Sequence, residues 1–146
     1  MRAGLGVRYL PRLCAALLCF AVAWIHVQDQ GGFPGNKTPR YVGIGYYLLE
    51  AAAVLCGLLL IAARPGSLLR ASWLLSLAVG VGPVAGYLLS RGPGLPDYGD
   101  DRGNWLEPLG LVSLAVEGAL IVLATIVLAT GRKVRSRSPQ RSRPGY

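Results

Sequence analysis

Four stretches of the chain are continuously apolar for about twenty residues or more, at roughly 9–27, 41–63, 68–90 and 105–130. A hydrocarbon core of roughly 30 Å is crossed by about 20 helical residues at ~1.5 Å each, so every stretch is long enough to span a bilayer. Barrel strands would alternate polar and apolar over about ten residues, and none of these runs does. Arg64-Pro65-Gly66-Ser67 punctuates the second and third spans and predicts a tight antiparallel hairpin. The segments 28–40 and 91–104, rich in Gly, Pro and Asp, read as surface loops on one common side. The pattern therefore predicts an all-α fold, a single four-helix transmembrane bundle over residues 1–130 with a basic disordered tail over 131–146.

Composition agrees: 53% of residues are hydrophobic, only 15% are charged, and mean hydropathy is +0.45, which is the balance of a chain that seeks lipid. The net charge of +8 is mostly a topology signal. Arg2, Arg8, Arg12, Arg64, Arg70 and six residues from Arg132 to Arg143 place eleven basic residues on one side, against Lys37, Arg40, Arg91 and Arg102 on the other. By the positive-inside rule both termini are cytoplasmic. Asp29, Asp97, Asp100 and Asp101 fall on the opposite side. The Arg-Ser tail carries no aromatic platform and reads as a stop-transfer anchor to anionic lipid, so the bilayer, and not nucleic acid, is the expected partner. The Ala, Gly and Arg richness suggests a bacterial plasma membrane, where the sequon Asn36-Lys37-Thr38 would carry no meaning.

Arg2, Arg8 and Arg12 before Leu13–Phe20 and Ala21-Val22-Ala23 also fit a secretory signal cleaved after Ala23. Retention is the preferred reading, because the apolar run continues through Trp24 and Ile25 and Trp24 suits an interface. Cys14, Cys19 and Cys56 all lie inside spans with no C-x-x-C spacing, and read as small packing residues.

Ionisable groups at membrane depth need an account. Glu50 lies nine residues into the second span, about 14 Å from its loop-side end, and Glu117 lies at similar depth in the fourth. Helical spacing puts Gly43, Tyr46 or Tyr47, Val54 and Gly57 on the face of Glu50, and Gly110, Ser113 and Ala124 on that of Glu117. Small and polar stripes recur at Ser72, Ser76, Gly80, Pro83, Tyr87 and Ser90, and at Arg12, Ala16, Cys19, Ala23 and His26, and four such faces argue for one compact bundle. Pro83 is expected to kink the third helix. The two carboxyls either share a proton at one site or serve separately as interhelical contacts to Tyr46, Tyr47, Ser113 or backbone. His26 is expected near Glu107 at the outer mouth, with Asp29 just outside, and Asn104 reads as the cap of the fourth helix. A divalent metal at His26 and these acids is a minor reading, since the chain has one His. No metal site is assigned.

The run Tyr46-Tyr47-Leu48-Leu49-Glu50-Ala51-Ala52-Ala53-Val54-Leu55-Cys56-Gly57-Leu58-Leu59-Leu60, followed by Arg64-Pro65, resembles the second helix of the DoxX-like small bacterial membrane proteins over about residues 41 to 80. That resemblance implies a four-helix bundle and, for some members, a place in redox or quinone-linked processes. Asn104, Trp105, Glu107, Pro108, Leu109 and Gly110 also resemble the last helix of uncharacterised actinobacterial membrane proteins. Neither resemblance transfers a catalytic residue.

No G-x-S-x-G, Walker A, dinucleotide fingerprint or H-E-x-x-H occurs. The first expectation is thus a non-catalytic membrane protein acting as a partner or assembly subunit, or as a homo-oligomer, with no cofactor. The second is a proton-coupled carrier of a small solute or ion, using Glu50, Glu117, Tyr46, Tyr47, His26 and Glu107. The third is a quinone-linked redox subunit. Intact-mass spectrometry of the purified protein is expected to return all 146 residues apart from N-terminal methionine processing. Loss of the first 23 would instead establish cleavage after Ala23.

Overall fold

The computed structural model describes residues 3–136, with side chains over 9–131. Four helices account for most of it: α1 (Ala3–Asp29), α2 (Arg40–Ala62), α3 (Ser67–Arg91) and α4 (Pro108–Ser136). All four are long and apolar enough to cross a membrane. Helices α1 and α2 pack as one antiparallel pair and α3 and α4 as another, while α1 and α3 barely touch. The loops 30–39 and 92–107 share one end of the bundle, and the Tyr41 hydroxyl joins the start of α2 to the second of them by donating to the Pro96 carbonyl at 2.6 Å.

Small residues let the helices approach. Ala15, Ala16, Cys19, Ala53, Cys56 and Ala124 are fully or almost fully buried, filled in by Val22, Leu60, Trp73, Val79 and Leu120. Lipid tails are as apolar as these side chains, so what holds them is close packing and satisfied polar groups rather than expulsion of water. Gly80 marks the tightest crossing of α3 and α4, where a Cβ would stand 2.7 Å from Ile121 Cγ1. Inside this half, Cys56 Sγ donates to the Ser72 carbonyl at 3.4 Å and lies 3.2 Å from Ser76 Oγ. Each serine hydroxyl also bonds back to its own helix, Ser72 to Leu68 and Ser76 to Ser72.

Arg12 stands apart as a buried cation in this apolar half. The last carbonyls of a helix have no partner within it, and in hydrocarbon each such group costs free energy. The Arg12 guanidinium crosses from α1 to take three of them at the end of α2, donating to Leu60 O at 2.7 Å, Ile61 O at 3.2 Å and Ala63 O at 2.6 Å. Its charge also complements the negative end of the α2 dipole.

Several sequence expectations are revised. Helix α4 begins at Pro108 rather than near Trp105 and continues to Ser136, through the first part of the segment read as a disordered tail; the remaining 137–146 lie outside the described residues. Cys14 and Val54 face outward, unlike Cys19 and Cys56. The span containing Ala23 is continuous, and cleavage there would remove Arg12 from its carbonyls.

Replacing Arg12 strands those carbonyls. Arg12→Ala is expected to cost roughly 2–4 kcal/mol of stability, and Arg12→Lys distinctly less because one ammonium can still reach part of the set. Thermal denaturation in detergent checks the order of the three proteins.

Candidate functional site

The loop-side half is built differently, because the helices there carry tyrosines, glycines and a proline in place of alanines. Between them lies a cavity of about 400 Å³, within the usual range of small-molecule sites. Helix α1 contributes His26 and Asp29, α2 contributes Tyr46, α3 contributes Pro83 and Tyr87, and α4 contributes Ser113 and Glu117. Inward of it the packed alanines, cysteines and serines close the bundle.

Glu117 and His26 form its floor. Ser113, one helical turn before Glu117, donates to Glu117 Oε1 at 2.5 Å. His26 Nδ1 lies 2.9 Å from the Val22 carbonyl, which fixes that nitrogen as the donor and leaves Nε2 as a free acceptor. Nε2 stands 3.9 Å from Glu117 Oε1, too far for a direct hydrogen bond. Glu117 is 1% exposed, and among the described residues its Oε2 makes no hydrogen bond. Tyr46 leans on the His26 ring with centroids 5.4 Å apart and donates its hydroxyl to Asp29 Oδ2. Lys37 caps the same carboxylate, with Nζ 3.1 Å from Oδ1.

The rim is organised by Arg91, the last residue of α3. Its guanidinium lies over the Tyr87 ring at 4.0 Å, 3.5 Å from Asp101 Oδ2 and 3.6 Å from Glu107 Oε2. It also donates from Nε to Asn104 O at 3.1 Å, and its own carbonyl accepts from Gly103 N at 2.8 Å. Tyr98 donates to Asp101 Oδ2 at 2.9 Å. Burial, and then this carboxylate, push the Tyr98 phenol above the ordinary tyrosine range. Arg91 is thus the main charged anchor of the loop 92–107, which Tyr41 and Tyr87 also hold through the Pro96 and Trp105 carbonyls.

The sequence candidates separate. His26, Tyr46, Glu107 and Glu117 come together on the cavity wall, whereas Glu50 and Tyr47 do not. Glu50 accepts a 2.7 Å hydrogen bond from Gln30 Nε2, and Tyr47 accepts one of 2.8 Å from Gly35 N, so both fasten the loop 30–39 to α2. The shared two-carboxyl site is therefore replaced by two separate settings, and the expected tyrosine bonds to Glu50 go to Asp29 and Gly35 instead. His26 pairs in depth with Glu117 and not with Glu107. Glu107, rather than Asn104, caps α4: Oε1 accepts from Leu109 N at 3.0 Å and Oε2 from Gly110 N at 2.5 Å.

Sequence reasoning missed Gln30 and Arg91. Gln30 is 0% exposed, and its Oε1 has no partner among the described residues; nothing local marks it, since its partner lies twenty residues on. Arg91 had a signal, as a cation in the last turn of a helix facing a loop with three aspartates. Among the described residues no three His, Cys, Asp or Glu side chains are grouped to hold a metal ion.

Arg91→Gln is expected to accelerate amide exchange several-fold across 92–107 while leaving α1 and α2 unchanged, as read by hydrogen-deuterium exchange mass spectrometry. Uniform exchange throughout would show that the loop is held by other contacts. No family model, curated protein or solved structure matches this chain.

Proposed function

We propose that the chain is a plasma-membrane protein of the carrier class, with both termini cytoplasmic, that binds a small solute in the loop-side cavity in exchange for a proton on Glu117. The cavity is the observation that carries this reading. An assembly subunit has no need of a space of about 400 Å³ with a glutamate of the fourth span on its wall. The basic residues of the N-terminal segment, the α2–α3 turn and the tail support the orientation, which opens the cavity to the extracytoplasmic side. The rank of the sequence expectations is thereby reversed, with the carrier ahead of the partner subunit.

His26 serves the exchange by holding its Nε2 acceptor toward the carboxyl. Ser113 orients the carboxyl through Oε1 and leaves Oε2 for the solute or proton. The packed inner half blocks leakage in this conformation. Glu50 stands outside the exchange and acts as the anchor of Gln30.

A hydrophobic carbodiimide reacts with protonated, reachable carboxyls. Treatment of the purified protein, with the modified residue mapped by mass spectrometry, is expected to label Glu117 both in the wild type and in Glu50→Gln, less strongly as pH rises. Absence of label on Glu117 at every pH, in protein that still melts cooperatively, would overturn the reading in favour of a sealed structural contact.

A further inference from the structure

Building on the carrier reading, we infer that the solute is a small organic cation, a protonated amine on an apolar or aromatic body. Four properties of the cavity converge on that chemistry.

The first is the kind of group left unpaired at the floor. Val22 commits His26 Nδ1, and Ser113 commits one oxygen of Glu117, so the free atoms there are His26 Nε2 and Glu117 Oε2. With Glu117 ionised and His26 neutral, its proton on Nδ1, both of these free atoms are acceptors. A group with several donors satisfies both at once, and an ammonium has three. A quinone presents carbonyl acceptors and leaves these atoms unanswered.

The second is charge. Asp29, Asp101, Glu107 and Glu117 line the cavity, with Arg91 as the one Lys or Arg on its wall. Lys37 answers Asp29 from the loop, and Arg91 is shared between Asp101 and Glu107. Glu117 shares the cavity wall with His26 and Asp29 from α1, Tyr46 from α2, Tyr87, Ser90 and Arg91 from α3, Tyr98, Asp101 and Glu107 from the loop, and Ser113 from its own helix. Among the described residues the one basic side chain within 4 Å of its carboxyl is His26, at 3.9 Å. An anion brought here would meet excess negative charge in a medium that screens it weakly.

The third is the wall. Tyr41, Tyr46, Tyr87 and Tyr98 ring the space, and two of them already meet cations, Arg91 at 4.0 Å over Tyr87 and Lys37 at 5.3 Å over Tyr46. An ammonium gains the same attraction, and more so when desolvated. The fourth is shape: Ile25, Leu49, Pro83 and Leu109 supply apolar surface above the floor, which suits an alkyl or aryl body and not a bare inorganic ion.

Proton and ammonium then compete for one carboxylate, which sets the sign of the pH effect. Lowering pH protonates Glu117 and expels the amine.

Calorimetric titration of the full-length protein with 2-phenylethylammonium, the neutral 2-phenylethanol and anionic phenylacetate tests the class. Saturable binding is expected for the ammonium alone, weakening at least tenfold from about pH 8 to about pH 5, a range in which an alkylammonium stays charged. Glu117→Gln is expected to lose at least tenfold in affinity, and Glu117→Asp to retain part of it, with thermal melts verifying that both fold. The ammonium is also expected to protect wild-type Glu117 from carbodiimide. Equal binding of the alcohol, preferred binding of the carboxylate, or no ammonium binding by a protein whose Glu117 is still labelled would each overturn the cation class and leave the exchange site standing. Failure of the label itself would overturn both.

Discussion

A guanidinium meeting the open end of a helix decides how this bundle is assembled. Helix α2 ends where the chain turns through Arg64-Pro65-Gly66; the Ala63 N–H answers the Leu59 carbonyl, and the carbonyls beyond it need a donor from elsewhere. Arg12 is the donor they find, and it belongs to α1, so register, crossing and polarity of the first hairpin follow from one side chain. At the opposite end the same hairpin is fastened by Gln30 on Glu50, Lys37 on Asp29 and Gly35 on Tyr47. A pair of helices held at both ends is a rigid wall, and α3 and α4 lean against it.

The contrast between the two halves follows from which residues line the seams. Toward the Arg12 end they are alanines, cysteines and serines, which let backbones close to contact. Toward the loops they are Tyr46, Tyr87 and Pro83 beside Gly45, Gly82 and Gly86, whose mismatch of large and small leaves space that dispersion forces cannot close. The tyrosine hydroxyls are taken by Asp29 and the Trp105 carbonyl, so the rings stay upright as walls. Packing in one half and vacancy in the other are two outcomes of the same four helices.

Much of this was legible in the chain. Span number and approximate limits follow from hydropathy and length, since a bilayer imposes both. The bond between Ser113 and Glu117 follows from helical spacing alone, because both belong to one helix. What the chain did not display are contacts that depend on where a loop lands: Gln30 reaches Glu50 only because loop 30–39 folds down against α2, and no periodicity encodes that. The cap of α4 is an intermediate case. Asparagine is usually the stronger cap, which favoured Asn104, but a proline at the first helical position places the cap on the residue before it, and Pro108 made Glu107 that residue. Glu50 and Glu117 looked alike by depth and differ by neighbour, a distinction that only the packing of α1 between them supplies.

Glu107 holds the first turn of α4 with two oxygens, one of which, Oε2, also faces Arg91 across the rim. The doorway and the helix end are consequently one object. Drawing Arg91 away unbalances the carboxylate that secures Leu109 and Gly110, and fraying that turn releases the Arg91 partner, so any loosening of this rim is tied to the fraying of a helix terminus, whose elementary steps are fast, on the order of a microsecond or less.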